Sequence, residues 1–410
     1  MTRVAVVGAG AAGTMAAIFA ATGGAETVLL ERTRDGGRKI LISGGGRCNI
    51  LPARVDERRF VTDSSPHSLC NILRAWPLPE QIDFLEAELG LRLVEEEETG
   101  KLFPDSNRAR DVRDGLLRVA RDSGVEFVPD TRVTGFAPAS SGWSVASTSG
   151  RHEADAVIVA TGGLSVPNTG SDGTGLEVLR RLGHVIHETY PALTPITAEP
   201  AAFGHLAGVS LPVARIEATS ATHAAESRGG FLFTHRGYSG PAVLDVSHVV
   251  ARSPEGPGRA RVTVQWTALD DAGWTAALAP EGRRTVAGVL RERLPDRLAA
   301  ALLTVAGVGG ATRLAQLPRA ERTRLLDALV RCELPWTGDE GYRKAEVTGG
   351  GVSLAEIDPL TMESRRHPGL FLAGEVLDAF GPIGGYNFLW AWVTGRSAGI
   401  GAGTMARLER

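Results

Sequence analysis

Three glycines near the N-terminus, Gly8-Ala-Gly10-Ala-Ala-Gly13, have the spacing that phosphate-ester recognition needs. Gly8 permits a tight turn, Gly10 lets the backbone approach a pyrophosphate, and Gly13 lets a helix pack closely on a strand. They follow the apolar run Arg3-Val-Ala-Val-Val7 and open an Ala-rich stretch, so a helix N-terminus turns free N–H groups and its positive dipole end toward the same point. A second apolar run, Glu26-Thr-Val-Leu-Leu-Glu31, ends in a carboxylate suited to the two hydroxyls of an adenosine ribose. Strand, turn, helix and acid agree on a dinucleotide site, with FAD and NAD both open at this point.

Two later segments bear on that choice. Asp155-Ala-Val-Ile-Val-Ala160-Thr161-Gly162-Gly163 is an apolar run ending in a small-residue turn, and Gly369-Leu-Phe-Leu-Ala-Gly374-Glu375 is a second of the same kind with an acid after its glycine. Both resemble the accessory motifs of flavoproteins with the two-dinucleotide fold, which implies FAD. A longer run, Gly37-Arg38-Lys39-Ile-Leu-Ile-Ser43-Gly44-Gly45-Gly46-Arg47-Cys48-Asn49, is similar to the signature of the HI0933-like family of FAD-dependent oxidoreductases. The resemblance continues through Lys101-Leu-Phe-Pro-Asp-Ser106, Ala160 to Ser171, Thr234 to Pro241, Thr348 to Val352, Leu370 to Asp378 and Gly384-Gly385-Tyr386-Asn387. It departs at Ala379-Phe380-Gly381-Pro382-Ile383, where the family has a polar loop, and at Leu389, where it has Gln. Those departures point to a more apolar site.

The resemblance implies flavin chemistry with a small-molecule substrate. NAD(P)H-dependent reduction of a conjugated C=C bond is the leading expectation, and O2-dependent oxidation of an amine or aminoketone is the alternative. The expected cofactor contacts are Gly8, Gly10, Ala11, Ala12, Gly13, Glu31, Arg32, Arg38, Lys39, Ser43, Gly44, Gly45, Arg47, Cys48, Asn49, Val133, Ala160, Thr161, Gly162, Gly374, Glu375, Gly384, Gly385, Tyr386 and Asn387. Arg47, Tyr386 and His235 are the catalytic candidates. Physically, the small residues from Ser43 to Gly46 let backbone N–H groups reach a planar ring or a phosphate, and Lys39 and Arg47 add positive charge there. Such charge favours a reduced flavin, which is anionic near N1. Cys48 reads either as a low-pKa thiol beside Arg47 or as a small packed residue, and with no resolving cysteine adjacent the packed reading is favoured.

Composition removes other classes. Lys and Arg number 44 against 47 Asp and Glu, a formal net charge of −3, so nothing is left over for a phosphate backbone or an anionic membrane. A flavoprotein acting on RNA is therefore the lesser expectation. The three cysteines are far apart and form neither a disulfide framework nor a dithiol centre. No His-Glu-x-x-His and no Gly-x-Ser-x-Gly occurs, which argues against a metal site or a hydrolase. His184-Val-Ile-His187 reads as a strand with the two imidazoles on opposite faces, a structural arrangement. With no leader-like N-terminus and no stretch near roughly 18 consecutive apolar residues, a cytoplasmic protein is expected.

These residues require an α/β scaffold. The expected architecture is a Rossmann-like FAD domain from residues 1–190 and 346–410, with an inserted β-rich module at 191–269 and a helical subdomain at 270–345. Alternating runs such as Val213-Ala-Arg-Ile-Glu-Ala218 mark the β-rich part, and the helical spacing of Val286, Val289, Leu290 and Leu294 marks the other. Glycine, at 51 of 410 residues, is well above the usual ~7% and clusters at the motifs.

Overall fold

The computed structural model describes residues 2–280 and 283–408, and the chain forms two compact units, Met1–Tyr190 with Glu346–Arg410, and Pro191–Ala345. In the first unit the opening motif becomes β1 (Arg3–Val7), α1 (Ala11–Thr22) and β2 (Glu26–Leu30). After α2 (Arg38–Ile42), the short strands β3 (Leu51–Pro52), β4 (Leu93–Glu96) and β5 (Lys101–Pro104) pair antiparallel in the order β3-β5-β4. Helix α3 (Ala109–Asp122) leads into β6 (Glu126–Val128). An antiparallel excursion follows, β7 (Val133–Pro138), β8 (Trp143–Ser147) and β9 (Gly150–Ala154), and the chain returns in β10 (Ala156–Val159) and α4 (Thr174–Arg181). The unit is completed by β11 (Ile186–Ala192), β12 (Val347–Val352), β13 (Leu370–Leu372) and α5 (Tyr386–Leu408).

The central sheet is parallel, in the order β13-β10-β1-β2-β6. Every residue of β10 and β13 is buried, which is why these strands read as unbroken apolar runs; a parallel sheet is covered on both faces. The carboxyl ends of β1, β10, β2 and β13 carry Gly8, Ala160, Glu31 and Ala373 respectively, the residues that open the motif turns. The α/β Rossmann-type fold expected from the sequence is the fold found.

Helix α1 is apolar on all sides because it is buried on all sides, with Met15, Ala16, Ala17 and Ala20 fully inaccessible. It lies between the sheet and α5, and α5 meets it along Gly395, Gly399 and Gly403. A β-carbon at Gly395 would stand 2.4 Å from the Ala12 carbonyl oxygen, and one at Gly399 would stand 2.3 Å from that of Ala16. The two helices therefore touch backbone to backbone, closer than any side chain permits.

In the second unit a seven-stranded sheet runs in the order Cys332–Glu333, Arg261–Gln265, Ser210–Thr219, Ala224–Thr234, Gly237–Ser239, Ile196–Thr197 and Gly338–Asp339. Phe233 of the sheet and Trp266, which follows the strand Arg261–Gln265, belong to the same buried cluster as Leu298, Leu302 and Leu325 of the helices, and the Trp266 indole donates to the Ala328 carbonyl at 3.1 Å. The β-rich and helical stretches, expected as separate pieces, thus share one core. Among the described residues no helix is long and apolar enough to cross a membrane.

The α1–α5 contact yields a test in which two effects oppose. Val has the higher helix propensity, so Gly399→Val gains a few tenths of a kcal/mol as an isolated helix; overpacking against the Ala16 carbonyl costs more. The variant is expected to lose about 3 kcal/mol in urea unfolding.

Candidate active site

The turns at the carboxyl edge of the parallel sheet enclose one cavity of about 460 Å3, within the range of cofactor pockets. Of the expected cofactor residues, all but Gly13, Cys48 and Tyr386 line it. Gly8 has φ +102°, and a β-carbon there would strike the Ala160 carbonyl oxygen at 2.6 Å, so the β1 and β10 turns close on one another only with glycine. Gly13 serves the same approach from below: a β-carbon would lie 1.8 Å from the Gly8 oxygen. At Gly10 and Gly45, by contrast, a β-carbon would enter open space facing the cavity. These are the places where a ligand can approach the backbone.

Sheet order sets the layout of the edge. Glu31 follows β2, Gly8 follows β1, Thr161 follows β10 and Glu375 follows β13. With strands about 4.8 Å apart, Glu31 and Glu375 are roughly 14 Å apart along it, the span of an extended dinucleotide rather than of a mononucleotide. Glu31 is buried; it accepts from the Ala9 amide at 2.8 Å and from the Thr33 amide and hydroxyl at 2.8 and 2.7 Å. Those bonds fix the carboxylate and leave one lone pair, on Oε2, for a further donor.

The Lys39 ammonium donates to Glu375 at 2.6 Å and to the Ser165 hydroxyl at 2.5 Å, which leaves one proton for a ligand. Glu375 also accepts from Ser165 at 2.6 Å and from the Thr348 amide at 3.0 Å. One carboxylate thereby ties α2, the turn after β10, β12 and the turn after β13 together. At the Glu31 end of the edge, Arg32 donates to Asp172 at 2.7 Å and Arg132 lies 3.3 Å from the same oxygen. Burial alone would raise the Asp172 carboxyl; the Thr174 hydroxyl and amide and the Arg32 guanidinium outweigh it and hold the group below its ordinary value.

At the opposite end Ser43–Gly46 forms a turn in which Gly44, Gly45 and Gly46 all have left-handed φ. Asn49 follows, and its side-chain oxygen is buried with no hydrogen-bond partner although the residue lines the cavity. An orphaned acceptor there calls for a ligand donor. Arg47 lies over the Phe103 ring at 4.2 Å and pairs with Glu96 at 3.1 Å.

Two expected site residues, Cys48 and Tyr386, are corrected. Cys48 is fully buried and away from the cavity, and burial pushes its thiol up to about 12, so it is a packed residue. Tyr386 directs its hydroxyl to the Arg54 carbonyl at 3.3 Å, with its ring against Phe60, and presents no phenol to the site. Asn387 lines the cavity, and its amide accepts from the Gly381 N–H and donates to the Gly381 carbonyl, each at 2.9 Å, stapling the 381–387 turn. His235 lies in the second unit, between the strands Ala224–Thr234 and Gly237–Ser239, in a pocket of about 10 Å3 that has room for one water. The two other histidines also differ in setting: His184 precedes β11 and is buried against the Ser364 hydroxyl at 2.8 Å, while only His187 lies in the strand, 3.6 Å from the buried Asp378.

Sequence reasoning missed Arg132, Asp172, Lys101 and Phe103 in the cavity wall. The alternation of β5 puts residues 101 and 103 on one face, and that was the available signal. It also missed Arg113, buried on α3, which donates to the carbonyls of Asp35 and Gly36 and braces the turn before α2. The packed setting of Cys48 predicts that iodoacetamide at pH 8 leaves it unmodified in the native protein and labels it after unfolding, as read by peptide mass spectrometry.

Comparison with known proteins agrees with this geometry. Residues 2–401 match the family described as HI0933-like protein Rossmann domain. The chain is 32% identical over 395 residues to the ribosomal RNA dihydrouridine synthase of Escherichia coli (strain K12), covering 94% of each chain. It is 31% identical over 409 residues to the 3-dehydro-bile acid delta(4,6)-reductase of Clostridium scindens, covering 98% of this chain and 99% of the relative. Among solved structures, the 3-ketosteroid delta1-dehydrogenase of Sterolibacterium denitrificans aligns with TM-score 0.55 at 11% identity, over 99% of this chain and 100% of that one. A flavocytochrome c3 fumarate reductase in its open conformation aligns with TM-score 0.50 at 18% identity, over 99% and 78%. The structural likenesses speak to fold, the sequence matches to descent: the chain belongs to the HI0933-like family of FAD-dependent oxidoreductases.

Proposed function

We propose that this protein reduces a carbon–carbon double bond conjugated to a carbonyl group of a small molecule, with FAD held in the cavity and NAD(P)H as electron donor. The observation that carries the reading is the pair of relatives at 31 and 32% identity over nearly the whole chain, one named a 3-dehydro-bile acid delta(4,6)-reductase and the other a ribosomal RNA dihydrouridine synthase. FAD, when bound, supplies the two-electron transfer. Everything else falls to the protein.

Glu31 receives the adenosine ribose, the α1 N-terminus and the third proton of Lys39 receive phosphate oxygens, and the Ser43–Asn49 turn receives the ring end. The acceptor meets a wall built by Ala379, Phe380 and Ile383, which excludes water from the reacting carbons. An apolar substrate gains most from such a wall, at roughly 25 cal/mol per Å2 of apolar surface buried.

The relative from Escherichia coli favours a second reading, in which the acceptor is a uridine of ribosomal RNA. Against it weighs the charge of the cavity: Arg38 is paired with Asp35, Arg47 with Glu96, and Arg32 and Arg132 with Asp172. Guanidinium groups already neutralised offer little to a polyanion.

The test is anaerobic stopped-flow of the purified yellow protein against NADH, NADPH and simple amines, followed by air or a cyclic enone. Rapid bleaching of the flavin band by a pyridine nucleotide, slow return in air and fast return with the enone are expected. Bleaching by an amine alone, with fast reoxidation and peroxide, contradicts the reading. Retention of ribosomal RNA at low salt, with RNA-dependent reoxidation, replaces it with the second.

A further inference from the structure

We propose that Lys101, which opens the Lys101–Ser106 motif but was not among the expected site residues, is the cation that receives the substrate's carbonyl oxygen, and is thus a catalytic residue. The inference rests on the reductase reading and adds to it the one interaction that such chemistry cannot lack. When a hydride adds to the β-carbon of an enone, the π pair moves toward the carbonyl and negative charge gathers on its oxygen. A proton from solvent then adds at the α-carbon to give the saturated ketone; the two electrons come from NAD(P)H, which leaves as NAD(P)+. The barrier falls if a donor stands ready at that oxygen before the charge develops.

Six cations line the cavity, and five are engaged. Arg32 and Arg132 share Asp172, Arg38 has Asp35, Arg47 has Glu96, and Lys39 has Glu375 and Ser165. Lys101 alone, among the described residues lining the cavity, is a cation with neither a hydrogen bond nor an ion pair. Its backbone is held firmly: it opens β5, paired with Pro52 of β3 on one side and Glu96 of β4 on the other. Its stem passes the Gly384 turn, where a β-carbon would come within 3.8 Å of it, so the side chain stands beside the backbone that follows the apolar Phe380–Ile383 wall.

The cross-strand neighbour explains why the ammonium stays uncommitted. Glu96 shares the face of Lys101, but the Thr99 hydroxyl at 2.6 Å and the Arg47 guanidinium occupy its two oxygens; with them, the nearby Lys101 charge helps hold its carboxyl below the ordinary value, though no hydrogen bond or ion pair joins the two. Glu96 thereby draws Arg47 aside and lowers the cost of a nearby ammonium without closing on it. A polar donor at the edge of an apolar wall is what a neutral enone with one oxygen requires. Asn49, with its unpaired oxygen, cannot serve as the oxyanion donor through that atom, because a carbonyl oxygen only accepts.

The experiment reads binding rather than turnover. The FAD-loaded protein is titrated with 4-chlorophenol, whose phenolate carries its charge as the developing enolate would, and followed by the change in the flavin spectrum across pH. Binding should weaken about tenfold or more in Lys101→Met and be largely retained in Lys101→Arg, with flavin content and Tm as controls of folding. The apparent pKa of bound phenol should be depressed in the wild type and normal in Lys101→Met. No binding to the wild type, equal binding by wild type and Lys101→Met, or a loss confined to Arg47→Gln overturns the assignment. The reductase reading is judged separately on the wild type: failure of NADH and NADPH to bleach the flavin, with phenolate binding still dependent on Lys101, removes that reading and leaves the oxyanion site standing.

Discussion

The carboxyl edge of the parallel sheet is organised by backbone meeting backbone where no β-carbon fits. Gly13 lets α1 settle on the Gly8 carbonyl, Gly8 lets that turn close on Ala160, and Gly395 and Gly399 let α5 press α1 from behind. Each contact fixes the next, so the helix N-terminus is aimed at the cavity by packing on both sides. Such geometry is pre-organised: the N–H groups at the helix N-terminus are in position before any anion arrives.

Upon that frame the charges are distributed in pairs. The cations at the Glu31 end are held by Asp172, and the central one by Glu375. The cavity can therefore take a dianionic pyrophosphate through aimed dipoles and single spare protons, without a strong positive field that would attract polyanions at large. The far end differs in kind. There Ala379, Phe380 and Ile383 supply an apolar wall, and behind it Asp378 accepts from Thr62 and Ser64 at 3.0 and 2.7 Å to pin the adjoining loop. A wall held in place this way makes that end of the cavity apolar, with Lys101 in the same lining.

Much of this was legible in the amino-acid sequence, because its motifs are local. A strand, a turn and a helix N-terminus specify their own geometry within about fifteen residues, so the opening glycines, Glu31 and the two later turns could be placed without knowing the rest of the chain. Side-chain direction was not legible. Tyr386 and Asn387 stand beside the cavity glycines in sequence, yet one hydroxyl finds Arg54 and one amide finds Gly381, partners fixed by the tertiary fold. Cys48 sits between two cavity residues and faces the core. Arg132 and Asp172 become neighbours only when β7 and the loop before α4 meet, a pairing across 40 residues that no local pattern encodes. The close approach at Gly395 and Gly399 of α5 was not read from the sequence, because nothing in their spacing names α1 as the partner.

The measurement that tests the account most directly is a crystal structure of the protein purified with its native chromophore. The account predicts FAD laid along the carboxyl edge, adenosine ribose on Glu31, pyrophosphate at the α1 N-terminus, and the flavin ring between the Ser43–Asn49 turn and the Phe380–Ile383 wall, within reach of Lys101. A nicotinamide dinucleotide in that position, or FAD with its ring at the Asp172 end, would contradict it.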